Sequence, residues 1–315
     1  MASQPNIDGV LVTWGDRLFY PGNRRVKGTE AVRLRAAAIR RHIEATVVRQ
    51  APQVMVKVTG GGRGMRAIAA HFRYISKNGR LQIEDQHGEA LSGRDCVREL
   101  AEEWRLGGSM IPEHSEPGHR REAFNIMLSM PRGTDPLSVQ RAAREFARAE
   151  LDGHKYVMVL HDHQANPHVH LSVRAESVTG RRLNPRKEDL RRWRETFAEK
   201  LRGYGIDAEA TRRTTRLQGK EYEALWRRKA RQGGRLREDR LVSRPVGEPY
   251  MGRGPAIEAW RQISRALSMS PAAEDRQLAL AIIRYGGRGF DDAETLRRNA
   301  SRKFSRSGAP DSRQR

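Results

Sequence analysis

The chain has 315 residues and a formal net charge of +22, from 60 Lys and Arg against 38 Asp and Glu. That length admits one large domain or two ordinary ones, and the charge makes nucleic acid the default partner, with an anionic membrane surface as the rival. No stretch approaches the ~18 apolar residues of a membrane span and the N-terminus has no signal-peptide pattern; the single Cys96 excludes an intrachain disulfide, so a reducing cytosol is the expected setting.

Residues 1–28 hold one apolar run, Gly9 to Trp14, before a Pro-Gly turn, and Thr29 to Gln50 reads as a basic helix. Val54 to Thr59 alternates like a strand until Gly60, Gly61, Gly62 and Gly64 break it. Met65 to Ser76 returns to helical spacing, Asn78-Gly79 is a turn, Leu81 to Ile83 a short strand and Arg94 to Leu106 a helix; 113–121 is a polar loop. Ala123 to Met130 is a strand. In the PRGTDP that follows, Thr134 or Asp135 can cap a helix with Pro136 in its first turn, running to about Leu151 and stopping at Asp152-Gly153. Tyr156 to His161 and Val169 to Arg174 are strands, and Glu188 to Arg202 is a strongly basic helix. The fold class predicted is α+β, a central antiparallel sheet with flanking helices, followed by a basic, mostly helical C-terminal region. The expected domains are an N-terminal extension with a basic helix at 1–50, the α+β domain at 51–210, a basic helical region at 211–295 and a disordered basic tail at 296–315. Within the helical region, Ile257, Trp260, Ile263 and Leu267 form an apolar stripe, and 272–285 is a further helix.

Four of the ten histidines fall in one window, HDHQANPHVH at 161–170. On a strand His168 and His170 share a face and Val169 points to the other, as suits a buried apolar residue. Gln164 to Pro167 is a plausible turn, which would bring the strand ending at His161 back beside the strand carrying His168. His161 joins the other two only in a register that sets it opposite His168 or His170; opposite Val169 it would turn away. In the first case three imidazoles converge on one divalent metal ion with positions left open, a catalytic style of site. The rivals are a polar loop that happens to be rich in His, and a closed structural zinc site, for which Cys96 alone is a poor complement.

The histidine pattern, His161 followed by Pro167-His168-Val169-His170, resembles the third motif of conjugative relaxases of the MOB-P, or VirD, type, in the HUH endonuclease superfamily. The chain is similar to that family in two further places: AHFRYISKNGRLQIED (70–85) resembles the first motif, which carries a nucleophilic tyrosine, and IMLSMPRGTD (126–135) resembles the second, with its Ser129. These segments fall in the family's order over roughly 65–205. One departure stands out. The family carries Asp two residues after the first His, and here that place holds His163, with Asp162 as its neighbour. On a strand Asp162 would face away from His161. The acid that orients an imidazole is then lost, moved, or supplied by another residue such as Glu84 or Asp85, and His163 is a competing ligand.

Tyr74 is the tyrosine that fits. The helix around it has an apolar stripe at Met65, Ile68, Phe72 and Ile75, and at ~100° per residue Tyr74 points about 140° from its centre. A core tyrosine would lie in the stripe; a plain surface tyrosine is the alternative. Tyr156 sits in an apolar strand and reads as core. The resemblance implies that Tyr74 attacks a DNA phosphodiester and displaces a 3′-hydroxyl, leaving a 5′-phosphotyrosine adduct, assisted by Mg²⁺ or Mn²⁺ on His161, His168 and His170. It implies that Ser129 helps to hold DNA. It also implies single-stranded DNA at a plasmid or integrative-element transfer origin as substrate, and relaxosome accessory proteins, a coupling ATPase and a type IV secretion system as partners, with export alongside the DNA. Two alternatives stand beside this. A rolling-circle replication initiator of the same superfamily carries its tyrosine after the histidines rather than before them. A non-catalytic basic DNA-binding protein would need no Tyr74 at all. The basic helices around Trp193 and Trp226 read most simply as solvated faces with packed tryptophans. Phosphate contact and base stacking are the other readings.

Overall fold

The computed structural model describes residues 6–20, 26–114, 120–217, 233–234 and 253–287. The chain divides into two compact units, one of residues 51–210 and one that joins 1–50 to 211–315. The expected tail at 296–315 and the basic segment around Trp226 lie outside the described residues.

The unit at 51–210 is built on one six-stranded sheet in which every pairing is antiparallel. Its strands are β1 (Met55–Gly60), β2 (Ile83–Asp85), β3 (Ala90–Leu91), β4 (Ala123–Ser129), β5 (His154–His161) and β6 (His168–Ser177), in the spatial order β1-β4-β6-β5-β2-β3. The short strand expected at 81–83 begins two residues later, because the Leu81 amide is taken by the Ser76 carbonyl and cannot enter the ladder.

Side chains alternate across the sheet, so each strand serves two cores. Ile126 and Leu128 on β4, Tyr156 and Met158 on β5, and Val169, Leu171 and Val173 on β6 pack against α5 (Pro136–Glu150) and α6 (Lys187–Gly203), where Phe146, Trp193 and Phe197 are fully buried. Tyr156 and Trp193 are thus core residues. Asp135 caps α5 by accepting a hydrogen bond from the Ser138 amide at 2.8 Å, with Pro136 in the first turn.

The other face carries a second, smaller core. Val157 and Val159 of β5 and Ile83 of β2 meet α3 (Met65–Ile75) and α4 (Arg94–Leu106) through Ile68, Phe72, Ile75, Leu100 and Trp104. The buried Arg174 of β6 donates to the Trp104 and Ser109 carbonyls and so ties down the end of α4. The turn after α3 needs glycine: Gly79 has φ of +81°, and a Cβ there would lie 2.3 Å from the Gly93 backbone.

In the second unit α1 (Ile7–Phe19), α2 (Thr29–Ile43), α7 (Arg253–Ser268) and α8 (Ala273–Gly286) share one core, with Leu11, Ile39, Trp260 and Ile282 buried. The N-terminal extension is therefore no separate piece, for its apolar faces are covered by helices from the far end of the chain. Arg40 binds Asp275 through both carboxylate oxygens, at 2.7 and 2.9 Å, and Asp8 at 2.8 Å. The basic helix expected to reach Gln50 loosens at 44–48, where the Arg49 amide reaches back five residues to the Glu44 carbonyl. No helix among the described residues is long and apolar enough to cross a membrane.

Candidate active site

The register settles where the histidines point. His161 of β5 pairs with His168 of β6, and His168 pairs in turn with Ser129 of β4. His161, His168, His170 and Ser129 therefore share the face that carries α3 and α4, and all four are buried. The three imidazole rings lie 4.7 to 5.0 Å apart between centroids. Each offers a ring nitrogen within 4.8 Å of the other two, the one such cluster of three or more His, Cys, Asp or Glu among the described residues.

Backbone carbonyls orient two of these rings. A carbonyl only accepts, so His161 donates through Nε2 to the Ile75 carbonyl at 2.7 Å, and His168 donates through Nδ1 to the Asn166 carbonyl at 2.9 Å. The lone pairs then reside on His161 Nδ1 and His168 Nε2. His161 Nδ1 and His170 Nδ1 are buried and have no hydrogen-bond partner. Burial pushes the pKa of His161 down, and that of His170 down to about 3, so both rings are neutral at pH 7. Neutral, fixed imidazoles with converging lone pairs fit a divalent cation with open coordination positions.

The other expected residues divide. Tyr74 stands on the flank of α3 with 69% of its surface exposed and its ring 6.3 Å from that of His170. His163 is exposed and flanks the group, its ring 5.1 Å from His161. Asp162 is exposed and falls in the turn after β5. Glu84 is not brought to the site. It pairs with Met158, which faces the opposite core, and its carboxylate is held there by Arg144 Nε and Nη2 and by Gln140. Asp85 closes its own turn by accepting from the His87 and Glu89 amides. Among the described residues no acid orients His161; the Ile75 carbonyl, next to Tyr74 in the chain, does so instead.

One residue at this site escaped the sequence reading. His71 stacks on Tyr74 at 6.2 Å and meets the edge of His170 at 6.3 Å, and its Nε2 is buried without a hydrogen-bond partner. Burial holds its pKa down at about 4. Its signal was its place three residues before Tyr74, on the border of the apolar stripe rather than within it.

A central antiparallel sheet that presents three metal-ready imidazoles beside an exposed tyrosine defines a histidine-triad domain of α+β type. Residues 74–206 match the relaxase family described as MobA/VirD2-like, nuclease domain. It is similar to the T-DNA border endonuclease VirD2 of Rhizobium radiobacter, 27% identical over 182 residues, which are 52% of this chain and 43% of that protein. It is also similar to the T-DNA border endonuclease VirD2 of Agrobacterium fabrum (strain C58 / ATCC 33970), 27% identical over 205 residues, 57% of this chain and 45% of the relative. The chain thus aligns with less than half the length of either relative. No solved structure matches it.

Proposed function

We propose that this protein is a DNA relaxase that nicks one strand at a specific site in a transfer origin and later rejoins it, for conjugative transfer. The observation that carries the reading is the placement of Tyr74, exposed and 6.3 Å from a triad ring, on a helix whose last carbonyl, that of Ile75, also orients His161 of that triad. A phenol is a poor nucleophile until it loses its proton. An attack by its oxygen on phosphorus exchanges one phosphodiester for another, so the step is close to thermoneutral and needs no nucleotide triphosphate. Tyr74 would retain the 5′-phosphate and release a 3′-hydroxyl.

His161, His168 and His170 would hold a divalent cation, which when bound polarises a phosphate oxygen and offsets the charge that gathers on it. An all-imidazole donor set favours Mn²⁺ over the harder, oxygen-seeking Mg²⁺. His71 packs Tyr74 and His170 together. Ser129, across from His168, would line the floor on which the DNA rests. His163 would flank the open side as an auxiliary base or ligand. The relatives' names, T-DNA border endonuclease, support a nick at a defined sequence. The resemblance to relaxases would place the protein in the bacterial cytoplasm, where accessory proteins, a coupling ATPase and a type IV secretion channel would receive the nicked strand.

The test is incubation with a labelled single-stranded oligonucleotide carrying the candidate origin, with Mn²⁺, followed by denaturing electrophoresis. Wild type should give a protein-linked label. Tyr74→Phe should lose it by at least ~10³-fold while still binding the oligonucleotide. Cleavage without a protein adduct would show a hydrolase instead, and unchanged adduct formation by Tyr74→Phe would overturn the assignment.

A further inference from the structure

The face that carries the triad is only partly covered. Its helix α3 begins beside the start of β4, where the Gly62 amide bonds the Ala123 carbonyl at 3.1 Å, and ends over β5, where the Ile75 carbonyl receives His161. It therefore crosses the sheet obliquely. On one side of it, together with α4, it seals β5 and β2 under apolar side chains. On the other side β4 and β1 keep the same face open. Along β1 and β4 the residues turned toward α5 and α6 are buried or nearly so, while Lys57 is exposed and Met55 and Met127 are half-buried.

The open strip is continuous with the triad. Lys57 pairs with Met127, which pairs with His170; Met55 pairs with Ser129, which pairs with His168. Two strand spacings of ~4.8 Å put the Lys57 backbone about 10 Å from that of His170. This is about three nucleotides along a stacked single strand at ~3.4 Å each. Among the described residues Lys57 makes no ion pair or hydrogen bond, so its ammonium is free for an anion.

Polarity follows from the chemistry. In the displacement at phosphorus the Tyr74 oxygen forms its bond as the bond from phosphorus to the 3′ oxygen breaks, and the proton lost by the phenol is matched by one taken up at that 3′ oxygen. The entering and leaving oxygens lie on opposite sides of phosphorus. Tyr74 stands on the α3 wall, so the departing 3′ oxygen points away from α3, toward β4 and β1. We propose that the DNA segment on the 5′ side of the nick, the one that ends in the 3′-hydroxyl, lies across the strip formed by Met55, Lys57 and Met127, with Lys57 on its phosphates. The proposal rests on Tyr74 being the nucleophile. The strip would also keep the 3′-hydroxyl at hand for rejoining, because that segment leaves no covalent bond behind.

The experiment measures binding of two half-site oligonucleotides across a salt series, one ending at the nick in a 3′-hydroxyl and one beginning there with a 5′-phosphate. Adduct formation on the intact site is assayed in parallel. Lys57→Ala should weaken the upstream half-site and reduce its dependence of log K on log salt by about 0.7, the value for one phosphate contact on a single strand. Lys57→Glu should weaken it by about tenfold or more, and neither variant should change the downstream half-site. Equal effects on both halves, an effect on the downstream half alone, or none at all would overturn the strand path. A wild type that forms no adduct would instead overturn the nuclease reading, whatever the half-sites show.

Discussion

On β6 three residues, Val169, Leu171 and Val173, point toward α5 and α6, and three that alternate with them, His168, His170 and Ser172, point the other way. The first set has no polar atom and lies in the larger core; the second holds the candidate chemistry. Neighbouring residues on one strand are thus committed to different tasks. The apolar face is what makes the reactive face rigid: a one-residue slip would drive imidazoles into the core, at a cost that the buried valines and leucines make prohibitive. The difference teaches that the triad's geometry is maintained mainly from behind, with the Ile75 and Asn166 carbonyls adding the final orientation of the rings.

This comparison can be broken at either face. His168→Ala should have the largest effect after Tyr74→Phe. Removal of one of the three proposed ligands should lower Mn²⁺ affinity and adduct formation each by at least ~10²-fold with little loss of stability. Calorimetric titration with Mn²⁺ beside a thermal melt separates the two, and undiminished metal binding would remove His168 from the ligand set. Leu171→Ala, three residues along the same strand, should do the reverse. It should cost ~2–5 kcal/mol of unfolding free energy and leave Mn²⁺ affinity unaltered in whatever fraction remains folded. A denaturant melt reads the first quantity and a titration of the folded fraction the second.

A pH series sharpens the contrast. Burial lowers the pKa of His71 to about 4 and that of His170 to about 3, while an unfolded histidine titrates near ~6.5. The folded state therefore binds fewer protons between these values, so the contribution of these rings is complete above about pH 6.5 and is lost as pH falls toward 4 and then 3. In chelator-treated protein the melting temperature of wild type should fall over this window more steeply than that of His71→Phe, whose ring cannot charge. Parallel curves would show that His71 does not bear the burden assigned to it. The smallest effect is expected at Glu84→Gln. Its carboxylate faces the apolar core and pairs with Arg144, so the change should cost ~1–3 kcal/mol of stability and leave metal affinity where it was. A drop in Mn²⁺ affinity would return Glu84 to the site.

Much of the site was legible because strand periodicity is local. His168 and His170 had to share a face, and Val169 had to leave it, as soon as the segment was a strand. Tyr74 was legible in the same way, from its angle to the apolar stripe of its own helix. The register that set His161 across from His168 was not, since it depends on the turn and on which face the rest of β5 buries. Nor was the displacement of Glu84 to the back of the sheet, because β2 is too short to reveal its phase. His71 was missed because its contacts run to another element.

The chain by itself determined the α+β order, the strong basic charge, the pair of histidines two residues apart and the outward tyrosine, since each follows from composition or from a repeat of two or 3.6 residues. Only the tertiary structure decided which β5 side chain completes the triad, that backbone carbonyls rather than an acid orient it, and which half of the reactive face stays open. Those outcomes rest on register, on helix placement and on pairings between residues as far apart as Ile75 and His161. The physical reason is that local periodicity fixes where a side chain points, while long-range packing fixes what it meets there.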